Sequence, residues 1–203
     1  MKQQRQRQAL DVSNLPEYSF GHPGLMWWGT TLFMIIEGSS FVLLFVTYFF
    51  YRIKSAQWPP SAPYPALTLG TINMLLMVAS GIPNHLTKRA AEQFDVKRAR
   101  LWILVCLAFG VAFLIVRWFE LWTLGTMWDS NAYGSIVWVT MGIHTSEIVT
   151  DVGETAVLAA LLFTAHTEPK RLVDVNENAR FWDFVIVSWV PAYFLIYWAP
   201  RWL

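Results

Sequence analysis

His144, Glu147, Asp151 and Glu154 stand at spacings of three, four and three residues in the segment GIHTSEIVTDVGET, residues 142–155. An imidazole and three carboxyls support three kinds of chemistry. They can pass protons, ligate a metal ion, or hydrogen-bond to one another and to neighbouring helices. In a helix each residue turns about 100°, so the four side chains fall within an arc of about 80°. They share one face. The stretches on either side, YGSIVWVTM and AVLAALLF, are apolar.

The chain that must position this face has 203 residues, of which 55% are hydrophobic and 14% charged. Soluble domains average about 25% charged residues, so the composition points to a polytopic membrane protein. A span needs about 20 mainly apolar residues. Five segments meet that need, at about 24–51, 67–86, 101–122, 133–164 and 181–198. Trp58-Pro59-Pro60 stops the first, the polar stretch TKRAAEQFDVKRAR follows the second as a loop, and Pro191 is expected to kink the fifth. The expected fold is therefore an all-α integral membrane bundle of five transmembrane helices. Residues 1–23 form a polar cytoplasmic tail, and 24–203 form one transmembrane domain. The single Cys106 excludes an intrachain disulfide and reads as a packing residue.

Orientation follows from Lys and Arg. With the N-terminus inside, eleven fall on inner segments (Lys2, Arg5, Arg7, Lys88, Arg89, Lys97, Arg98, Arg100, Lys170, Arg171 and Arg180). Only Arg52, Lys54 and Arg201 fall outside. This predicts N-terminus inside and C-terminus outside. Several Trp residues near span ends fit an interfacial aromatic belt.

An ionisable group at mid-span costs roughly 2.5–3.5 kcal/mol on an insertion scale. Four on one helix cannot all face lipid. The face must point into the bundle, toward a partner subunit, or toward water. By depth, Arg117 and Glu120 reach toward His144, Glu37 is level with Glu147 or Asp151, and Asp183 is nearer Glu154. Arg117 and Glu120, three apart, pair on their own helix. Three readings stand side by side: a buried hydrogen-bonded network that sets helix register, a proton-handling or partner-facing seam, and a carboxylate–His metal site. Di-metal bundles use two Glu-x-x-His pairs, and only one reversed pair, His144-x-x-Glu147, occurs here. His22, His85 and His166 lie at span ends or outside, so a haem held by paired histidines within spans is not expected. A proton-coupled transporter would show an inverted repeat, which the sequence lacks.

The order of motifs resembles cytochrome c oxidase subunit III, of the haem–copper oxidases. The pieces are WWGTTLFMIIEGSSFVLLFVTYFFYR followed by WPP, then TINMLLMVASG, RWFELW, YGSIVWVTMGIHTSEIV and FWDFVIVSWVPAYFLIYW, covering about residues 24–200. By this resemblance Glu37 takes the place of the family's buried, carbodiimide-reactive carboxyl, and Glu120 and His144 keep the family's identities. Glu147 stands where a second His is usual, Asp183 where the last helix usually has His, and Ile186 replaces an Asp. Asp151 and Glu154 fall outside the matched motifs. The resemblance is to the family's short bacterial forms, so the two extra N-terminal helices of its longer members are not expected.

The resemblance implies a non-catalytic accessory subunit of a terminal oxidase in the bacterial inner membrane. It implies no cofactor in this chain. Haem and copper belong to the catalytic partner subunit, phospholipid binds in the grooves, and no nucleic acid is involved. The implied role is to stabilise the catalytic subunit and support proton uptake. The alternatives are an accessory subunit of a nitric oxide reductase of the same superfamily, or a membrane enzyme with a carboxylate–His metal site.

Overall fold

The computed structural model of the chain describes residues 18–60, 63–164 and 168–202. Most of the polar tail expected over 1–23 lies outside them. The described residues contain helices and no strands. In chain order these are α1 (Leu25–Lys54), α2 (Leu67–Glu92), α3 (Val96–Trp122), α4 (Ala132–Leu162) and α5 (Pro169–Tyr193). A π-helical turn, Phe194–Trp198, and a short α6, Ala199–Trp202, extend α5 to the end.

Each of α1, α2, α3 and the continuous α5–α6 rod is long and apolar enough to cross a membrane. α4 is as long, at 31 residues, but Glu147, Asp151 and Glu154 interrupt its apolar run. It packs along α3 and α5, between two helices that meet the criterion. The fold is the expected five-helix membrane bundle.

The helices outrun the apolar segments, and here the loop expected over TKRAAEQFDVKRAR is corrected. α2 continues to Glu92 and α3 begins at Val96, so only Gln93–Asp95 turn the chain. Lys, Arg, Ala and Glu are good helix formers, and a helix leaving an apolar layer can carry them. Phe94 adopts a left-handed φ of 55° in this turn. The Asp95 carboxylate then caps α3 by accepting from the Arg98 backbone N–H at 3.0 Å. Asn131 caps α4 in the same way, accepting from Gly134 at 2.8 Å. α5 likewise begins at Pro169, a residue suited to the first helical turn, well before the apolar segment that opens at Phe181.

Pro191 lies inside α5, and the helix widens to π geometry from Phe194. Proline lacks the N–H that would close a regular turn. A π turn rotates the residues beyond it by a fraction of a turn relative to the α-helical register. This is the local feature that presents Tyr197 to the interior.

α2, α3, α4 and α5 form the body, and α1 lies against α4 and α5. Only Phe41 and Tyr48 of α1 are buried. α1 crosses obliquely. Phe33 meets Phe181 of α5, while further along Phe41 meets His144 and Tyr48 meets Tyr133 of α4. Close approach at the centre depends on Gly110 of α3. A Cβ there would lie 2.5 Å from the Val152 side chain of α4 and 2.8 Å from Trp182 of α5.

Gly110→Val is therefore expected to destabilise the chain by about 1–3 kcal/mol through overpacking. Thermal unfolding in detergent should show a lowered midpoint, whereas Gly142→Val, with nothing within 4 Å of its Cβ position, should leave the midpoint of the isolated chain unchanged.

Candidate polar core and comparison with known proteins

Arg117 and Glu120 sit one turn apart near the end of α3, and both are fully enclosed, at 1% and 0% exposure. Arg117 Nη1 lies 3.1 Å from Glu120 Oε2. An enclosed ion pair stands only if its remaining donors and acceptors are met. Glu120 accepts from Asn73 Nδ2 of α2 at 2.5 Å and from the Tyr197 hydroxyl on the π turn. Gly70 of α2 makes room for the Tyr197 ring, which covers the position a Cβ would fill. Arg117 Nη1 also donates to Met141 Sδ at 2.9 Å, and Nη2 reaches His144 Nδ1 at 3.3 Å. The guanidinium lies 4.0 Å over the Trp189 ring and 4.8 Å over Phe113, an arrangement that favours a cation without adding a hydrogen bond. The cluster thus joins α2, α3, α4, α5 and the π turn.

The same contacts assign the tautomer of His144. A guanidinium only donates, so Nδ1 accepts. Nε2 lies 3.1 Å from the Val185 carbonyl, which only accepts. Both bonds form together in the neutral ring with the proton on Nε2. The ring also stacks on Trp189 at 4.5 Å. Both nitrogens are engaged, so neither is free to ligate a metal. Among the described residues, no group of three or more His, Cys, Asp or Glu side chains could hold a metal ion.

The rest of the acidic face behaves differently. Glu147 is 5% exposed and Asp151 fully buried. Asp151 Oδ1 accepts from Asn178 Nδ2 of α5 at 2.6 Å, and Thr155 donates to Asn178 Oδ1 at 3.0 Å. Asp151 Oδ2 and both oxygens of Glu147 accept no hydrogen bond from the described residues. Glu154 departs from the other three and stands exposed on α4. Glu37 is half-buried on α1 and lies near Glu147. Asp183 is not beside Glu154: it accepts from Asn84 Nδ2 of α2 at 2.7 Å, and the same amide nitrogen donates to the Ala179 carbonyl at 2.8 Å.

The structure therefore gathers Arg117, Glu120 and His144 into one cluster, sets Glu147 and Asp151 beside it along α4 with Glu37 of α1 near Glu147 and Glu154 near Asp151, and places Asp183 elsewhere. Asn73, Asn84, Asn178 and Tyr197 complete the bonding without having been singled out in the sequence. Asn73 and Asn84 left a legible trace, being amides within an otherwise apolar segment. Tyr197 left none, because its inward aim depends on the π turn.

A multi-pass helix bundle with a closed, polar centre is the class this geometry defines. The chain belongs to the cytochrome c oxidase subunit III family, whose sequence model matches residues 19–201. It is 27% identical over 181 residues to cytochrome c oxidase subunit 3 of Synechocystis sp., covering 87% of this chain and 77% of that one. The same identity holds over 184 residues of the Thermostichus vulcanus protein of that name, with 89% and 90% covered. With the Sus scrofa protein of that name it is 27% over 184 residues, with 84% and 68% covered. The chain is thus a membrane subunit of a cytochrome c oxidase complex of the respiratory chain.

Glu120→Ala should cost about 3–5 kcal/mol, because it leaves the Arg117 charge enclosed and unpaired. The double variant Arg117→Met/Glu120→Met should recover part of that loss. Detergent unfolding midpoints for the two variants test the order; a double variant no more stable than Glu120→Ala would contradict it.

Proposed function

We propose that this chain is a non-catalytic accessory subunit that packs against the haem–copper catalytic subunit in a bacterial inner membrane, stabilises it and supports proton uptake. Haem and copper reside in the partner. The observation that carries the packing role is the outward face of α4. Ser135, Gly142, Ser146, Gly153 and Ala160 recur there, all exposed, with exposed Val139, Val149 and Val157 between them. A Cβ at Gly142 or Gly153 would meet nothing within 4 Å. Membrane helices associate through such small-residue faces, because backbones can approach closely. The outward surface of α1 is instead dominated by large apolar side chains, among them Leu32, Ile35, Ile36, Leu43, Val46 and Phe50. The α4 face suits a helix of the catalytic subunit, and the α1 face suits acyl chains. Phospholipid is expected in the apolar groove of α1 lined by Val42, Phe45, Val46 and Phe49.

The orientation has its N-terminus inside and its C-terminus outside. Lys97, in the first turn of α3, and Ser130, in the connection from α3 to α4, are both exposed. Cys106 is buried, so the native chain should resist thiol labelling. Single cysteines at 97 and 130 should label from the cytoplasmic and the opposite side respectively; labelling of both from one side would refute the topology.

Gentle purification of the tagged chain should bring down a catalytic subunit with a haem spectrum. Gly142→Leu and Gly153→Leu should leave the isolated chain as stable as before while reducing the haem recovered per tagged chain. Recovery undiminished in both would remove α4 as the contact.

A further inference from the structure

We propose that Glu147 and Asp151 share one buried proton, which exchanges with the Glu154 end of α4, so that this helix carries an exchangeable proton store. The observations are burial, spacing and unmet bonding. Glu147 and Asp151 are four apart, so their carboxyls lie one above the other on the same strip of α4. Both are at least nine-tenths buried. Three of their four oxygens accept nothing from the described residues. An ionised carboxylate only accepts, and leaving it enclosed without donors is costly. Among the described residues, no cationic side chain offsets this. Arg117, one helical turn beyond Glu147, is committed to Glu120, Met141 and His144. The ionisable groups bearing on the pair are Glu37 of α1, Glu154 of α4 itself and Cys106 of α3. His144 of α4 is neutral in its hydrogen-bonded form, and Asp183 of α5 is held by Asn84. None of these brings a positive charge.

A proton resolves the conflict. Bound to a Glu147 oxygen, it turns an orphan acceptor into a donor and gives Asp151 Oδ2 a partner, directly or through one water. The exchange route is short. The Asn178 amide that donates to Asp151 also lies near the Glu154 carboxyl, one turn along α4. Glu154 is exposed. A proton arriving there forms an O–H bond on Glu154. That bond breaks as one forms on Asp151, and the proton passes to Glu147 in a second transfer of the same kind. No electron moves and no co-reactant is consumed. Such a store deepens the proton-uptake reading above and rests on it only for its use in turnover.

Infrared difference spectroscopy on the purified oxidase complex tests the proposal. The probe is the C=O stretch of a protonated carboxylic acid at neutral pH, compared between native and variant complexes of equal haem content. Glu147→Gln should lose one such band relative to native, and Asp151→Asn should shift it. The band should move in D₂O, and its exchange should be slower in Glu154→Gln. If neither Glu147→Gln nor Asp151→Asn changes the acid region, or if the band does not exchange in D₂O, the store does not exist. Should Glu147→Gln fail to assemble, Asp151→Asn alone decides. Oxygen consumption is a separate readout. A band that behaves as expected, with turnover unaltered in Glu154→Gln, would keep the store and remove its role in proton uptake.

Discussion

The Arg117 guanidinium sits where no solvent reaches it. Several kcal/mol of hydration are forfeited by an ion so placed. The bundle is arranged around replacing that hydration. Glu120 supplies the opposite charge, His144 and Met141 accept the spare N–H groups, and Trp189 offers its ring face. Each of these groups comes from a different turn or helix, so the charge can be accommodated only when α3, α4 and α5 are docked in one register. Asn73 and Tyr197 extend the same demand to α2 and the π turn, because Glu120 has oxygens to satisfy as well.

In a membrane this matters more than in water. Helix association there has little hydrophobic drive, since lipid tails are as apolar as leucine. Polar contacts and close packing decide which faces meet. α2 and α5 are tied by Asn84 to Asp183 and by Trp182 to Ser80. α1 has few such ties. Its interior contacts are largely aromatic, with Arg180 reaching the Trp27 carbonyl and the Thr31 hydroxyl at one end, and most of its surface is apolar and outward. The polar centre is thus a property of the other four helices, with α1 laid against them.

The motif order in the sequence led to the correct family, and the substitutions within those motifs have physical consequences. Asp183 ties α5 to Asn84 of α2. Glu147 lies toward Glu37 and accepts no hydrogen bond from the described residues. Neighbouring Asp151 takes an amide from α5. The His144 contact persists, joined to Arg117 and to a backbone carbonyl.

Hydropathy, the Pro and Gly punctuation and the spacing of charges were enough to determine five crossing helices, one shared arc for His144, Glu147, Asp151 and Glu154, of which Glu154 proved exposed, and an Arg–Glu pair three residues apart on α3. These are consequences of helical period and of the cost of charge in an apolar layer, both of which are local. Helix ends were misplaced because hydropathy marks the apolar layer and not the hydrogen-bonded helix, which runs on through Lys88–Glu92 and back from Phe181 to Pro169. The partners Asn73, Asn178 and Tyr197 were decided only by tertiary structure. Each meets its carboxylate across 27 to 77 residues of sequence. Whether an acid on α4 ends enclosed like Asp151 or exposed like Glu154 depends on how neighbouring helices cross, a quantity no single helix encodes.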